Sequence, residues 1–82
     1  MNKDEQRKRI GQRIAALRKT IEWTDELGIN RKGMTQTELG ERCGLKQASI
    51  ARIERGYFSA GFDQLQAIAE GLGMNIDLVA TL

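Results

Sequence analysis

Histidine is absent from this 82-residue chain and cysteine occurs once. With Cys43 alone and no imidazole, the sequence holds no set of metal ligands and no internal disulfide. Cys43 falls at an apolar position of its segment, which suits a packed thiol better than a reactive one. There is no glycine-rich phosphate loop, and the carboxylates have only the spacing of solvated helix faces. The usual equipment of an enzyme, a metal carrier or a cofactor-binding protein is therefore missing. No apolar run approaches the ~20 residues of a membrane span. The first residues, MNKDEQRKRI, are charged and lack the apolar core of a signal peptide, so the expected compartment is the cytoplasm, with no membrane partner.

Basic residues are also missing from one end. Residues 56–82 contain no Lys or Arg and three acids (Asp63, Glu70, Asp77), a net −3. Residues 1–55 hold all 13 bases with eight acids, a net +5. A basic front and an acidic back suit a small protein that turns one face to phosphate, although basic helix surfaces are often merely solvated.

What remains describes one domain over residues 1–82. Hydrophobic and charged contents of 40% and 29% are those of a soluble globular protein. A chain this short buries only about 60–65% of its unfolded surface, so its stability margin is thin and dimerisation would help it.

The chain is organised around Gln36 to Arg55, QTELGERCGLKQASIARIER. It reads as a helix over 36–43, a corner at Gly44 and a second helix over 47–55. Leu39 and Cys43, four apart, face one way; Ile50 and Ile53, three apart, mark the buried side of the second helix. Leu45 can plug the angle between them. Gly40 lies where the second helix would cross the first, and Gly44 supplies the positive φ that ends a helix. Thr35 is placed to cap the first helix, with Glu38 completing a capping box. These positions describe a helix-turn-helix over 36–55, able to set its second helix in a DNA major groove.

Around it, Ile10, Ile14, Leu17 and Ile21 give one face of a first helix beginning near Glu5, with Arg18 beside that face. Residues 22–34 break the pattern. Trp23, Leu27 and Ile29 are apolar enough to fold back over the core, with Trp23 read as a core or lid residue. Arg31 and Lys32 are either backbone contacts to DNA or a solvated loop tip. Tyr57 to Gly61 is a linker. A further helix over about 62–72 buries Phe62, Leu65, Ile68, Ala69 and Leu72. In the tail, 74–82, apolar residues alternate with a period of two, which favours a strand. A short helix is the rival, since Ile76, Val79 and Ala80 also share a helical face. A lone strand would need a partner, and the same strand of a second subunit is the economical one, hence an expected homodimer.

In a helix-turn-helix the second helix meets the bases with its N-terminal residues. Here Gln47 can pair bidentately with adenine and Arg52 with guanine, the Ala48 methyl suits a thymine methyl, and Ser49 suits a base or a phosphate. Lys46 reaches a phosphate or a guanine. Thr35 and Gln36, at a helix start with free N–H groups, can hold one phosphate; Arg55, Tyr57 and Ser59 can clamp a second. Plain capping at Thr35, partial burial of Tyr57 and an ordinary polar helix face are the alternatives.

The runs IGQRIAALRK, GMTQTELGERCGLKQASIARIERG and FDQLQAIAEGLG together resemble the Cro/repressor-type helix-turn-helix family, also called the XRE family. The TQxELxxxxG…IxxIExG core sets polar, apolar and glycine positions together. The resemblance implies an all-α, lambda-repressor-like domain of about four to five helices that binds operator double-stranded DNA, usually as a dimer. It implies that Gln36 bonds a phosphate and braces Gln47, and that Gln47, Ala48, Ser49 and Arg52 touch bases. It also implies a largely buried salt bridge between Arg18 and Glu54. Two features depart from the family: about residues 21–33 form an insertion, and Lys46 replaces the common capping Ser or Thr. The strand-like tail is similar to that of some antitoxins. The expected function is a dimeric transcriptional repressor; the alternative is an antitoxin that binds a protein toxin and regulates its own promoter.

Overall fold

The computed structural model describes residues 2–57 and 60–80. In order these form α1 (Lys3–Thr20), β1 (Glu22–Thr24), β2 (Asn30–Lys32), α2 (Gln36–Cys43), α3 (Gln47–Glu54), α4 (Phe62–Gly71) and α5 (Ile76–Ala80). Five helices among the described residues match the expected all-α class, with one small addition in the insertion.

Each boundary has a local cause. The Asn2 side chain accepts the Glu5 N–H at 2.8 Å and starts α1. Asp4 and Glu5 in its first turn and Arg18 and Lys19 in its last complement the helix dipole. Thr35 accepts the Glu38 N–H at 3.0 Å while the Glu38 carboxylate accepts the Thr35 N–H at 2.9 Å, the expected reciprocal cap of α2. Gly44 ends α2 with φ +75°. A Cβ on Gly40 would overlap the Leu45 carbonyl oxygen, so only glycine lets the corner fold this tightly.

The core is Ile14 from α1, Met34, Leu39 from α2, Ile50 and Ile53 from α3, Ile68, Ala69 and Leu72 from the α4 region, and Val79 from α5. α1 packs on α3 and α5, and α2 on α3 and α4. Arg42 reaches from α2 to the last α4 carbonyl, its Nε donating to Gly71 O at 2.7 Å, which satisfies an otherwise orphan acceptor.

Three expectations need correction. First, the tail strand is absent: residues 76–80 are helical. With no strand beside it, the segment satisfies its backbone internally. The Asn75 side chain accepts the Asp77 N–H at 3.0 Å and Val79 is fully buried, so the apolar spacing of three wins over the alternation. Thr81 and Leu82 lie outside the described residues. Second, the insertion is an antiparallel hairpin, pairing Glu22 with Lys32, Trp23 with Arg31 and Thr24 with Asn30. The Asp25 carboxylate accepts the N–H groups of Leu27 and Ile29 (2.9 and 3.0 Å) and sets its turn. Third, the hairpin tip does not fold over the core. Leu27 and Ile29 are exposed, and so is Phe62 in the first turn of α4. Trp23 alone packs inward.

Candidate nucleic-acid interface

A line of side chains joins the starts of α2 and α3. Gln47, the first residue of α3, donates its Nε2 to Gln36 Oε1 at 2.7 Å. Gln36, the first residue of α2, donates its own Nε2 to Glu54 Oε1 at 2.9 Å. Glu54 in turn accepts from Arg18 Nε at 2.7 Å and from Arg18 Nη2 at 3.0 Å. Arg18 Nη1 completes the line by donating to Met34 O at 2.8 Å. The salt bridge implied by the family is thus present. The side chains of Arg18 and Glu54 are only 10% and 6% exposed, so the pair is largely out of water. The Gln36–Gln47 brace is present as well.

Its local basis is plain. Ile50 and Ile53 bury one side of α3, which leaves Gln47, Ala48 and Arg52 on the outer side, all exposed. Ser49 is half-buried. Arg52 also interacts within the molecule. Lys46 takes the N-cap position with no side-chain cap, as its departure from the family pattern predicts, and it is exposed. At the other end of α3 the Gly56 N–H bonds Ile53 O (3.0 Å) and the Tyr57 N–H bonds Arg52 O (3.0 Å), a Schellman turn. It leaves Arg55 and Tyr57 exposed on either side of Gly56. Thr35 is exposed and Gln36 half-buried. Nine of the ten expected contact residues therefore lie along the α2 start, α3 and the turn after it. The tenth, Ser59, lies outside the described residues.

Electrostatically, the α2 start is settled by its cap. The Thr35 backbone N–H, bonded to the Glu38 carboxylate, holds that carboxyl below its ordinary range, with the nearby Arg31 guanidinium adding to the effect. Burial pushes the Cys43 thiol up, consistent with a packed rather than reactive sulfur. Among the described residues no group of three His, Cys, Asp or Glu could hold a metal ion. No helix among them is long and apolar enough to cross a membrane.

The hairpin employs one of the two bases that sequence reasoning left open. Arg31 pairs with Glu38 at 3.1 Å and lies 5.2 Å from the centre of the Trp23 ring. Arg42 of α2 lies 5.5 Å from the same ring, and the indole N–H donates to Gly33 O at 2.8 Å. Arg31 and Arg42 therefore clasp the hairpin to α2. Nothing in the spacing of these three residues signals it, because the contact depends on how the hairpin lies. Lys32 remains exposed beside Glu22 on the paired strand.

Comparison with known proteins agrees with this geometry. The helix-turn-helix family profile matches residues 29–79. An immunity repressor protein of Bacillus phage phi105 is 30% identical over 70 residues, which is 85% of this chain and 41% of that protein. The chain thus spans about two fifths of that relative's length. Among solved structures, the restriction-modification controller protein C.AhdI from Aeromonas hydrophila superposes with a TM-score of 0.75 at 19% identity, covering 96% of this chain and 99% of the other. The clp gene regulator ClgR from C. glutamicum gives 0.71 at 20% identity, covering 90% and 82%. The P22 c2 repressor, solved with a synthetic operator, gives 0.64 at 26% identity, covering 88% and 92%. From the matched profile, the capped helix pair and the buried Arg18–Glu54 bridge, the chain belongs to the Cro/repressor-type helix-turn-helix family of DNA-binding regulators.

Proposed function

We propose that this chain is a sequence-specific regulator that binds double-stranded DNA as a dimer, lays α3 in the major groove and represses transcription from the site it occupies. The observation that carries the reading is the line Arg18–Glu54–Gln36–Gln47, which orients two side chains at exposed helix starts from a buried ion pair. Packing two helices needs no such tie; presenting an amide in a set direction does.

Gln47, Ala48, Ser49 and Arg52 read bases, and Thr35, Gln36, Lys46, Arg55, Tyr57 and Ser59 hold phosphates. The brace leaves Gln47 competent for adenine. One N–H of its Nε2 goes to Gln36, while the other and the carbonyl oxygen remain for N7 and N6. Gln36 shares the α2 start with the free backbone N–H groups of the first turn, which favour a phosphate. The names of the phage relative and of the P22 protein point to repression rather than activation. The antitoxin alternative drew on a pairing strand in the tail; α5 removes that support.

Selection of bound sequences from random duplex DNA tests the proposal. The expected site contains two half-sites about 10 base pairs apart, one turn of the duplex, as two copies of α3 require. Gln47→Ala and Arg52→Ala should each lose about 1–3 kcal/mol of discrimination at one base position. An unenriched pool, or operator preference intact in both variants, would sink the readout.

A further inference from the structure

The first helix extends beyond the length needed to seat Arg18, and its N-terminal half lies over the end of α3. A Cβ on Gly11 would overlap the carbonyl oxygens of Ile53 and Glu54, so α1 rests directly on the last turn of α3. One turn earlier, Lys8 lies over Gly56. A Cβ on Gly56 would stand 2.8 Å from Lys8 Cγ and 3.0 Å from Lys8 Cα. The Lys8 stem therefore crosses the Schellman turn, between the two residues that our reading places on the DNA backbone, Arg55 and Tyr57. Lys8 is exposed. No ion pair among the described residues involves it, and Asp4, one turn before it, is taken by Arg7.

We infer that Lys8 is a further phosphate anchor, which makes the first helix part of the DNA-binding surface. The inference rests on the proposed placement of α3 in the major groove. Two facts carry it. The stem is held at its base by the close α1–α3 seat, so the ammonium is delivered to one region rather than swinging freely. An ammonium on a four-carbon stem also suits a phosphate oxygen as a point charge and needs no particular orientation. The contact adds affinity and no base preference. Complementing the α3 C-terminal dipole is the structural role a lysine here would otherwise have, and it predicts a different result.

The experiment measures affinity for the selected duplex against salt concentration, for the wild-type chain, Lys8→Gln, Lys8→Arg and Lys19→Gln. Lys19 is an exposed lysine at the opposite end of α1 and controls for net charge. Losing one phosphate contact lowers the slope of log K against log salt by about 0.9 and weakens binding about fivefold at 0.15 M salt. Lys8→Gln should show both, with the ratio of specific to non-specific binding unchanged, and Lys8→Arg should restore them. An unchanged slope, a slope change matched by Lys19→Gln, or a lower melting temperature with unaltered binding would each overturn the assignment while leaving the DNA reading intact. A wild-type chain that binds no duplex would overturn both.

Discussion

Glu54→Ala is the substitution that weighs most directly on both fold and site. It removes the carboxylate that accepts from Arg18 Nε, Arg18 Nη2 and Gln36 Nε2, and leaves Arg18 with the Met34 carbonyl as its remaining partner here. Both members of the ion pair are at least nine-tenths out of water. Breaking one side of such a pair costs about 3–5 kcal/mol, because the surviving charge stays buried without compensation. An 82-residue domain has a total stability of roughly 4–12 kcal/mol, so the variant should lose a large part of it. With a urea slope of about 1–1.5 kcal/mol per molar, the unfolding midpoint should fall by about 2–4 M. Far-UV circular dichroism reports the helices, and Trp23, the single tryptophan, reports the hairpin contact with α2. Replacing both partners, as Arg18→Met with Glu54→Met, should cost much less than the two single changes added together, since no charge is left stranded. A loss under about 1 kcal/mol for Glu54→Ala, or additive losses in the double variant, would show that solvent reaches the pair and that the reasoning from burial is wrong.

Two further tests address the corner and the cap. Gly40→Ala should cost more than Gly44→Ala in the same urea titration. The first drives a methyl into the Leu45 carbonyl, for about 1–3 kcal/mol or more. The second meets open space and suffers only its left-handed backbone, about 1 kcal/mol. Equal losses would mean that the helices can separate at no cost. The Glu38 cap should appear in the pH dependence of stability. Its folded-state pKa is depressed, so its contribution is fully present above the unfolded carboxylate value and is lost as pH falls through the lower folded value. Glu38→Gln should flatten stability in that acid window; an unchanged acid limb would show that the carboxylate is not held by the Thr35 N–H.

Much of the site was legible before the fold was known, for reasons that differ by residue. Thr35 and Glu38 form a cap because a helix start leaves N–H groups unsatisfied and the acceptors are three residues apart. Ile50 and Ile53 place Gln47, Ala48 and Arg52 on the outer side of α3, because a helix has one period and two sides. The Arg18–Glu54 bridge and the Gln36–Gln47 brace could not come from spacing, since the partners are 36 and 11 residues apart. They came from family resemblance alone. The tail misled because a five-residue segment satisfies both periods, and the exposed Phe62 because an apolar side chain in a first turn need not face the core.

The sequence alone determined the helix-turn-helix: its caps, its corner glycines and its apolar spacing are local, and local hydrogen bonding and sterics decide them. It also determined the charge division and the absence of catalytic or metal-binding equipment. The tertiary structure alone decided what depends on two distant segments meeting. It clasped Trp23 between Arg31 and Arg42, turned the insertion into a hairpin held on α2, made the tail a helix by burying Val79, and laid Lys8 across the end of α3. Each depends on which surfaces are left to cover once the core has closed, and no local pattern encodes that.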